Sequence, residues 1–121
     1  MAYTTIDNPE LYFQVKTYTG NSSGSTTQAI TLDGDENMQP DMVWLKSRTD
    51  AEKHWLVDSV RGITNGINPH LSDAETSSIS MVSFNTNGFT VGTDNASINK
   101  SGSNYVSWCW KGGTTSGIAG S

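Results

Sequence analysis

Hydrophobic and polar residues alternate with a period of two in several segments of this chain. Four segments show the alternation: residues 12–18, 28–32, 41–48 and 53–60. Successive side chains of a β-strand point to opposite faces of a sheet, so this period is typical of strands with one buried face. We therefore predict a strand in each segment, with 28–32 returning as the hairpin partner of 12–18.

The last third of the chain carries further strand signals. Two apolar runs within residues 79–93 flank Asn87-Gly88, a dipeptide that tolerates the positive φ angles of a tight hairpin turn. A final strand is predicted in the segment NYVSWCWKGG, residues 104–113.

Helical signals are confined to the first residues. Asp7 or Asn8 can cap a short turn that has Pro9 at its first position and Glu10 inside it. Seven or so short strands, joined by loops rich in Gly, Ser, Asn and Asp, indicate two packed antiparallel sheets. The predicted fold class is therefore all-β, an antiparallel β-sandwich of the jelly-roll or lectin-like kind, with at most one short N-terminal helical turn.

The last predicted strand is apolar on both faces. One face carries Val106, Trp108 and Trp110, and the other carries Tyr105, Ser107 and Cys109. We predict that the tryptophan face packs in the core, because burial of large aromatic side chains contributes strongly to stability. The residues expected to meet it are Val43, Leu45 or Trp44, together with Phe84 and Phe89. A sugar-binding platform is the alternative, but a cysteine between two tryptophans argues against exposed rings. Tyr105 is the ring expected to touch a neighbouring chain.

Size and charge narrow the class of protein. The 121 residues suffice for one domain with a core of its own. A formal net charge of −5, without a Lys/Arg cluster, argues against nucleic-acid binding. No apolar run approaches the roughly 18 residues of a membrane span, so membrane insertion is not expected. The single Cys109 cannot form an internal disulfide, and we predict a buried, unreactive thiol.

One acidic segment partly matches a calcium-binding loop. Asp33, Asp35 and Asn37 occupy positions 1, 3 and 5 of such a loop. The glycine required at the next position is Met38, and the bidentate glutamate is replaced by Trp44. We therefore interpret the segment as a solvated turn.

The remaining candidates for chemistry favour structural roles. His54 and His70 lie sixteen residues apart with no other ligand at metal spacing, so His54 is predicted to be packed or hydrogen-bonded. Arg61 is predicted to fold back onto Asp58, or onto backbone carbonyls, at the exit of a strand. The sequence has no G-x-S-x-G nucleophile motif and no identifiable carboxylate pair in an aromatic cleft. We therefore predict that the protein is not an enzyme and has no catalytic residue, no cofactor and no metal.

The most specific part of the sequence is a series of segments around its aromatic residues. In chain order they are YTG (18–20), QPDMVWLKSR (39–48), HWLVDSVRG (54–62), SFNTNGFTVGTD (83–94) and NYVSWCWKGG (104–113). This series resembles a module that recurs in tail-fibre-like and other virion-surface proteins of bacteriophages, especially marine ones. The resemblance implies a lectin-like β-sandwich with a structural or adhesive role, and it brings no catalytic residues.

From this resemblance we predict a phage virion structural protein. It would be the N-terminal, virion-anchoring part of a tail fibre or fibre-like appendage, located in the virion and mediating assembly and host adhesion. The expected partners are other virion structural proteins, in a homo-oligomer that is a trimer by analogy with fibres. The alternative is a carbohydrate-binding module for host surface glycans, or a capsid decoration protein on the virion surface.

Three parts are predicted along the chain. They are an N-terminal anchoring arm at 1–11, the β-sandwich module at 12–113, and a Gly/Ser-rich linker toward further C-terminal domains at 114–121. Terminal segments are ordered only where they are tied down. Tyr3, Ile6 and Ile118 are therefore predicted to dock on neighbouring subunits, and the alternative is that both ends fold back onto their own sandwich.

Overall fold

The structure is a computed structural model that describes residues 8–22, 26–93 and 96–112. In these ranges the chain forms one 3₁₀ turn, at Pro9–Leu11, and eight strands. The strands are β1 (Phe13–Thr19), β2 (Gln28–Thr31), β3 (Met42–Ser47), β4 (Trp55–Asp58), β5 (Gly66–Ile67), β6 (Met81–Asn85), β7 (Gly88–Val91) and β8 (Asn104–Trp110). All pairings between them are antiparallel.

The strands of the described residues form two sheets that pack face to face. One sheet has five strands in the order β1-β8-β3-β4-β5, and the other has three in the order β2-β7-β6. Tyr18 of the larger sheet meets Phe89 of the smaller one edge-on, with ring centroids 6.1 Å apart. The chain is thus an antiparallel β-sandwich, and the predicted fold class is confirmed.

The N-terminal turn forms where the sequence predicts it. The Asn8 side chain accepts a hydrogen bond from the Glu10 N–H at 3.2 Å, and Pro9 occupies the first position of the turn. The Gln14 amide donates to the Glu10 carbonyl at 2.9 Å, which fixes the turn against β1.

The predicted hairpin between residues 12–18 and 28–32 is wrong. β1 pairs with β8 in the larger sheet, whereas β2 pairs with β7 in the smaller one. The loop between β1 and β2 is long enough to impose no register, so cross-strand side-chain pairs decide the pairing. Tyr18 stacks on Tyr105 of β8, with ring centroids 5.2 Å apart.

β6 and β7 form the predicted tight hairpin. Asn85 pairs with Gly88, so the two turn residues are Thr86 and Asn87, one position earlier than the predicted Asn87-Gly88. Gly88 has a φ of +144°, and a Cβ at this position would collide with the carbonyl oxygen of Ile30 on β2. The position therefore requires glycine, both for its backbone angle and for the close approach of β2.

The core lies between the two sheets. The larger sheet contributes Tyr18, Val43, Leu45, Val57, Tyr105 and Cys109, and the smaller sheet contributes Ile30, Met81, Phe89 and Val91. Among the predicted core residues, Val43, Leu45 and Phe89 are fully buried. Burial also raises the pKa of the Cys109 thiol to about 11. The predicted buried thiol is therefore confirmed, and it stays protonated at neutral pH.

The two faces of β8 are the reverse of the prediction. The buried face carries Tyr105, Ser107 and Cys109, and the partly exposed outer face carries Val106, Trp108 and Trp110. The prediction that Trp108 and Trp110 belong to the core is therefore wrong. The prediction that Tyr105 touches a neighbouring chain is also wrong, because its side chain is completely buried in its own sandwich.

Hydrogen bonds to two tyrosine hydroxyls explain the reversal. The Tyr105 hydroxyl donates to the Ala96 carbonyl at 2.7 Å and accepts from the Lys100 N–H at 2.9 Å. The Tyr18 hydroxyl donates to the Ile98 carbonyl at 2.7 Å. Both rings are thus buried without the cost of an unpaired polar group.

Candidate functional site

The outer surface of the larger sheet carries a contiguous apolar patch, which we call the outer tryptophan face. It consists of Phe13, Val15, Met42, Trp44, Leu56, Trp108 and Trp110. Directly opposed residues of antiparallel strands share a face, and the register arranges these side chains in two adjacent rows. One row is Phe13–Trp110–Met42, and the other is Val15–Trp108–Trp44–Leu56. Phe13 and Val15 are 36% and 45% exposed, and the other members are partly exposed.

The aromatic rings of this face are held against one another. Trp44 and Trp108 meet edge to face, with ring centroids 5.9 Å apart and an interplanar angle of 67°. Phe13 packs on Trp110 in a tilted arrangement with a centroid distance of 5.0 Å. Such pairs contribute about 0.5–1.5 kcal/mol beyond their buried area, so the rings keep a defined orientation while part of their surface contacts water.

A histidine fixes the orientation of Trp44. Its indole N–H donates to His54 Nδ1 at 3.1 Å. The His54 ring lies in turn against His70, with ring centroids 4.7 Å apart. Burial, followed by the nearby His70 and Lys46, lowers the pKa of His54. Its ring is therefore neutral at pH 7 and able to accept, and the prediction that His54 is hydrogen-bonded is confirmed.

Two grooves open on the outer tryptophan face, and Trp110 lines both. The aromatic groove has a volume of about 260 Å³ and is lined by Trp44, Trp108 and Trp110. The mixed groove has a volume of about 530 Å³, and its lining includes Met42, Trp110, Asp41, Asp58, Ser59 and Arg61. The lining thus consists of indole rings in the aromatic groove and includes residues with charged and hydroxyl groups in the mixed groove.

Asp58 and Arg61 pin the turn that borders the mixed groove. The Asp58 carboxylate accepts hydrogen bonds from the N–H groups of Val60 and Arg61 and, at 2.7 Å, from Arg61 Nε. The Arg61 guanidinium also donates to the Leu56 carbonyl at 3.0 Å and to Glu75 at 3.1 Å. Burial alone would raise the pKa of Asp58, but the hydrogen bonds from Arg61 hold it below its usual value. The predicted pinned strand exit is confirmed.

The acidic turn after β2 is organised by side chains of β1. Asp33 pairs with Lys16 at 2.8 Å, and this hydrogen bond lowers the pKa of Asp33. The buried Gln14 accepts from the Gly34 N–H at 3.1 Å and donates to the Glu36 carbonyl at 2.8 Å. These contacts hold the turn against β1.

In the described part of the chain, no three His, Cys, Asp or Glu side chains are placed to hold a metal ion. Nor does any helix in those ranges have the length and hydrophobicity to cross a membrane. Three of the predicted contact residues, Tyr3, Ile6 and Ile118, lie outside the described residues, as does the predicted linker at 114–121.

Sequence reasoning did not find the outer tryptophan face, although β3 contains a signal for it. Lys46 lies two residues after Trp44 on this strand, so the two side chains share a face. A lysine is almost never fully buried without a partner. Trp44 therefore belongs to the solvent side of the sheet, and the pairing of β3 with β8 places Trp108 directly opposite it.

The fold and this surface define a β-sandwich domain with a partly exposed aromatic face. The chain belongs to a family described as a domain of unknown function (DUF7483), whose model matches residues 8–121. Comparison with curated proteins and with solved structures finds no match. The family description assigns no activity.

Proposed function

We propose that this domain is a structural and adhesive module of a phage virion-surface protein, such as the virion-anchoring part of a tail fibre. It makes its contacts through the outer tryptophan face. The observation that carries the proposal is the position of Trp44, Trp108 and Trp110, which remain partly exposed outside a core that is complete without them. Contiguous apolar patches with a polar rim are typical of binding surfaces.

Among the described residues, the side chains that could take part in catalysis have structural partners, which supports a binding role for the domain. Cys109 is buried in the core with a raised pKa, and His54 holds the indole of Trp44. Asp58 and Arg61 hold each other and the turn after β4. Each of these groups already serves the fold or the orientation of the outer tryptophan face.

The assignment to a virion is tested on purified particles of the phage that carries the gene. Mass spectrometry of gradient-purified particles is expected to find peptides of this domain, and gold-labelled antibodies against it are expected to mark the tail appendages. Label over the capsid shell would support a decoration protein instead. Absence from the particles, with the chain present in infected cells, would contradict the proposal.

The adhesive role is tested separately in the same phage. Particles that carry Trp108→Ala together with Trp110→Ala are expected to assemble with normal protein composition and to adsorb more slowly to host cells. Particles that carry Val82→Ala, on the outer surface of the smaller sheet, are the matched control. Normal adsorption by the tryptophan variant would contradict contact through this face.

A further inference from the structure

We propose that the outer tryptophan face binds a neutral oligosaccharide, with one sugar ring in the aromatic groove and the chain continuing into the mixed groove. This inference rests on the proposed function, because it names the chemical class of partner for the same face. Four features of the molecule support it: the partly exposed rings, the two grooves that share Trp110, the size of the patch and the charge of the chain.

The aromatic groove has the chemistry that a sugar ring requires. The faces of indole rings carry partial negative charge, and the axial C–H groups of a pyranose carry partial positive charge, so the two stack favourably. The groove is lined only by Trp44, Trp108 and Trp110, and its volume is about 260 Å³. Sites for drug-sized ligands span about 300–1,000 Å³, so this smaller groove suits a single ring.

The mixed groove supplies the polar contacts that a sugar also needs. Asp58 and Arg61 are occupied by each other and by the turn, but three other lining residues carry polar groups: Asp41 a carboxylate, Ser59 a hydroxyl and Lys111 an ammonium group. Sugar hydroxyls both donate and accept hydrogen bonds, and these residues offer both kinds of partner. Because Trp110 lines both grooves, a ligand that stacks on this ring is within reach of both. A chain of linked rings fits this arrangement.

The rings are oriented before any ligand arrives. His54 fixes the indole of Trp44, and the Trp44 ring supports Trp108 edge to face. Phe13 supports Trp110 from β1. A site whose side chains are already ordered loses less conformational entropy on binding, which favours affinity for a small ligand.

The size of the patch argues against a second copy of this chain as the occupant. Strands lie roughly 4.8 Å apart and alternate residues on one strand roughly 6.7 Å apart, so two rows across four strands cover on the order of 300 Å². A stable protein–protein interface buries about 800 Å² on each partner. The formal net charge of −5 also disfavours a polyanionic glycan, which leaves a neutral one.

The chain's four tryptophans provide a direct test by NMR. The 121-residue chain is titrated with short neutral oligosaccharides of glucose, galactose, mannose and N-acetylglucosamine, and the indole N–H signals are followed. We expect at least one oligosaccharide to bind at millimolar concentration or below and to shift the signals of Trp108 and Trp110. Trp55 packs on the core side of the sheet and serves as the internal control, with an unchanged signal.

Variants then separate binding from folding. Trp108→Ala is expected to weaken the binding roughly tenfold, and Val82→Ala is expected to leave it unchanged. If Trp108→Ala does not fold, Trp108→Phe keeps a flat ring and is expected to bind with intermediate affinity. Sedimentation analysis of the same proteins reports their oligomeric state.

Three results would overturn the inference. They are the absence of binding across the oligosaccharide panel, binding that shifts Trp55 but not Trp108, and an oligomer that Trp108→Ala dissociates, which would identify a second copy as the occupant. Failure here is distinguishable from failure of the proposed function. A domain that is present on particles but binds no sugar overturns only this inference, and a sugar-binding domain that is absent from particles overturns only the virion assignment.

Discussion

Trp44 and Trp108 meet edge to face on the outside of the sandwich, with ring centroids 5.9 Å apart. On the inner face of the same sheet, Tyr105 stacks on Tyr18. Strand β8 thus stabilises the domain with one set of alternate side chains and presents a contact surface with the other. Substitutions on the inner face should therefore lower stability more than substitutions on the outer face, which should affect binding.

The first prediction compares an outer tryptophan with a core phenylalanine. Trp110→Ala removes a partly exposed ring whose site opens to water, so we expect it to lower the free energy of unfolding by about 1–2 kcal/mol. Phe89→Ala leaves a closed cavity in the core and should cost about 3–5 kcal/mol. Chemical denaturation measures both values. An equal, large loss in the two variants would show that Trp110 is a core residue.

The second prediction concerns the buried hydroxyl of Tyr105. Tyr105→Phe leaves the Lys100 N–H and the Ala96 carbonyl without their partner, so we expect a loss of about 1–3 kcal/mol in unfolding free energy. Tyr12→Phe, on a partly exposed tyrosine before β1, is the control and should change stability little. If the two variants are equally stable, the Tyr105 hydroxyl does not anchor the loop at residues 96–100.

The third prediction separates two costs of replacing glycine. Gly88 and Gly102 both have positive φ, but a Cβ at Gly88 would collide with Ile30, whereas a Cβ at Gly102 would have nothing within 4 Å. Gly102→Ala should cost about 1–2 kcal/mol from backbone strain alone. Gly88→Ala should cost clearly more, because β2 must also move. Similar thermal unfolding midpoints for the two variants would argue against the close approach of β2 to the hairpin.

The fourth prediction is a dependence of stability on pH. The folded chain lowers the pKa of His54, so the unfolded chain binds the proton more readily. The free energy of unfolding should therefore rise with pH between the lowered folded pKa and about pH 6.5. The contribution of His54 should be complete above about pH 6.5 and lost as the pH falls through the lowered folded pKa. Protonation also removes the acceptor of the Trp44 N–H.

Thermal unfolding between pH 8 and 5 measures this dependence, set against the variant His54→Gln. Glutamine can accept from Trp44 without titrating, so the variant should show a flatter profile. The lowered pKa of Asp58 acts only at more acidic pH, below about 4, and does not interfere. A wild-type profile that matches that of His54→Gln would contradict the role of His54.

Local patterns in the sequence predict most of the elements of this fold. The period of two locates β1, β2, β3 and β4, and Asn87-Gly88 locates the hairpin between β6 and β7. The cap formed by Asn8 and Pro9 locates the single turn. Each of these features depends on residues close together in the chain, so the sequence specifies them directly.

The orientation of the faces depends on long-range pairing and could not be predicted in the same way. Both faces of β8 are apolar, so alternation alone does not say which one is buried. Lys46 marks the outer side of β3, but Lys16 lies on the inner side of β1, where the sheet edge lets it reach Asp33. Polarity therefore gives conflicting signals. The buried face of β8 is decided by its pairing with β1 and β3 and by the hydrogen bonds of the Tyr18 and Tyr105 hydroxyls.

The central claim is that β8 buries Tyr105 and presents Trp108 and Trp110 to contacts. Hydroxyl-radical footprinting of the folded chain, read by mass spectrometry at each residue, tests it most directly because oxidation rates follow side-chain exposure. We predict rapid oxidation of Trp108 and Trp110 and protection of Tyr105 and Phe89, with all four oxidised once the chain is unfolded. Rapid oxidation of Tyr105 with protection of the two tryptophans would contradict the account.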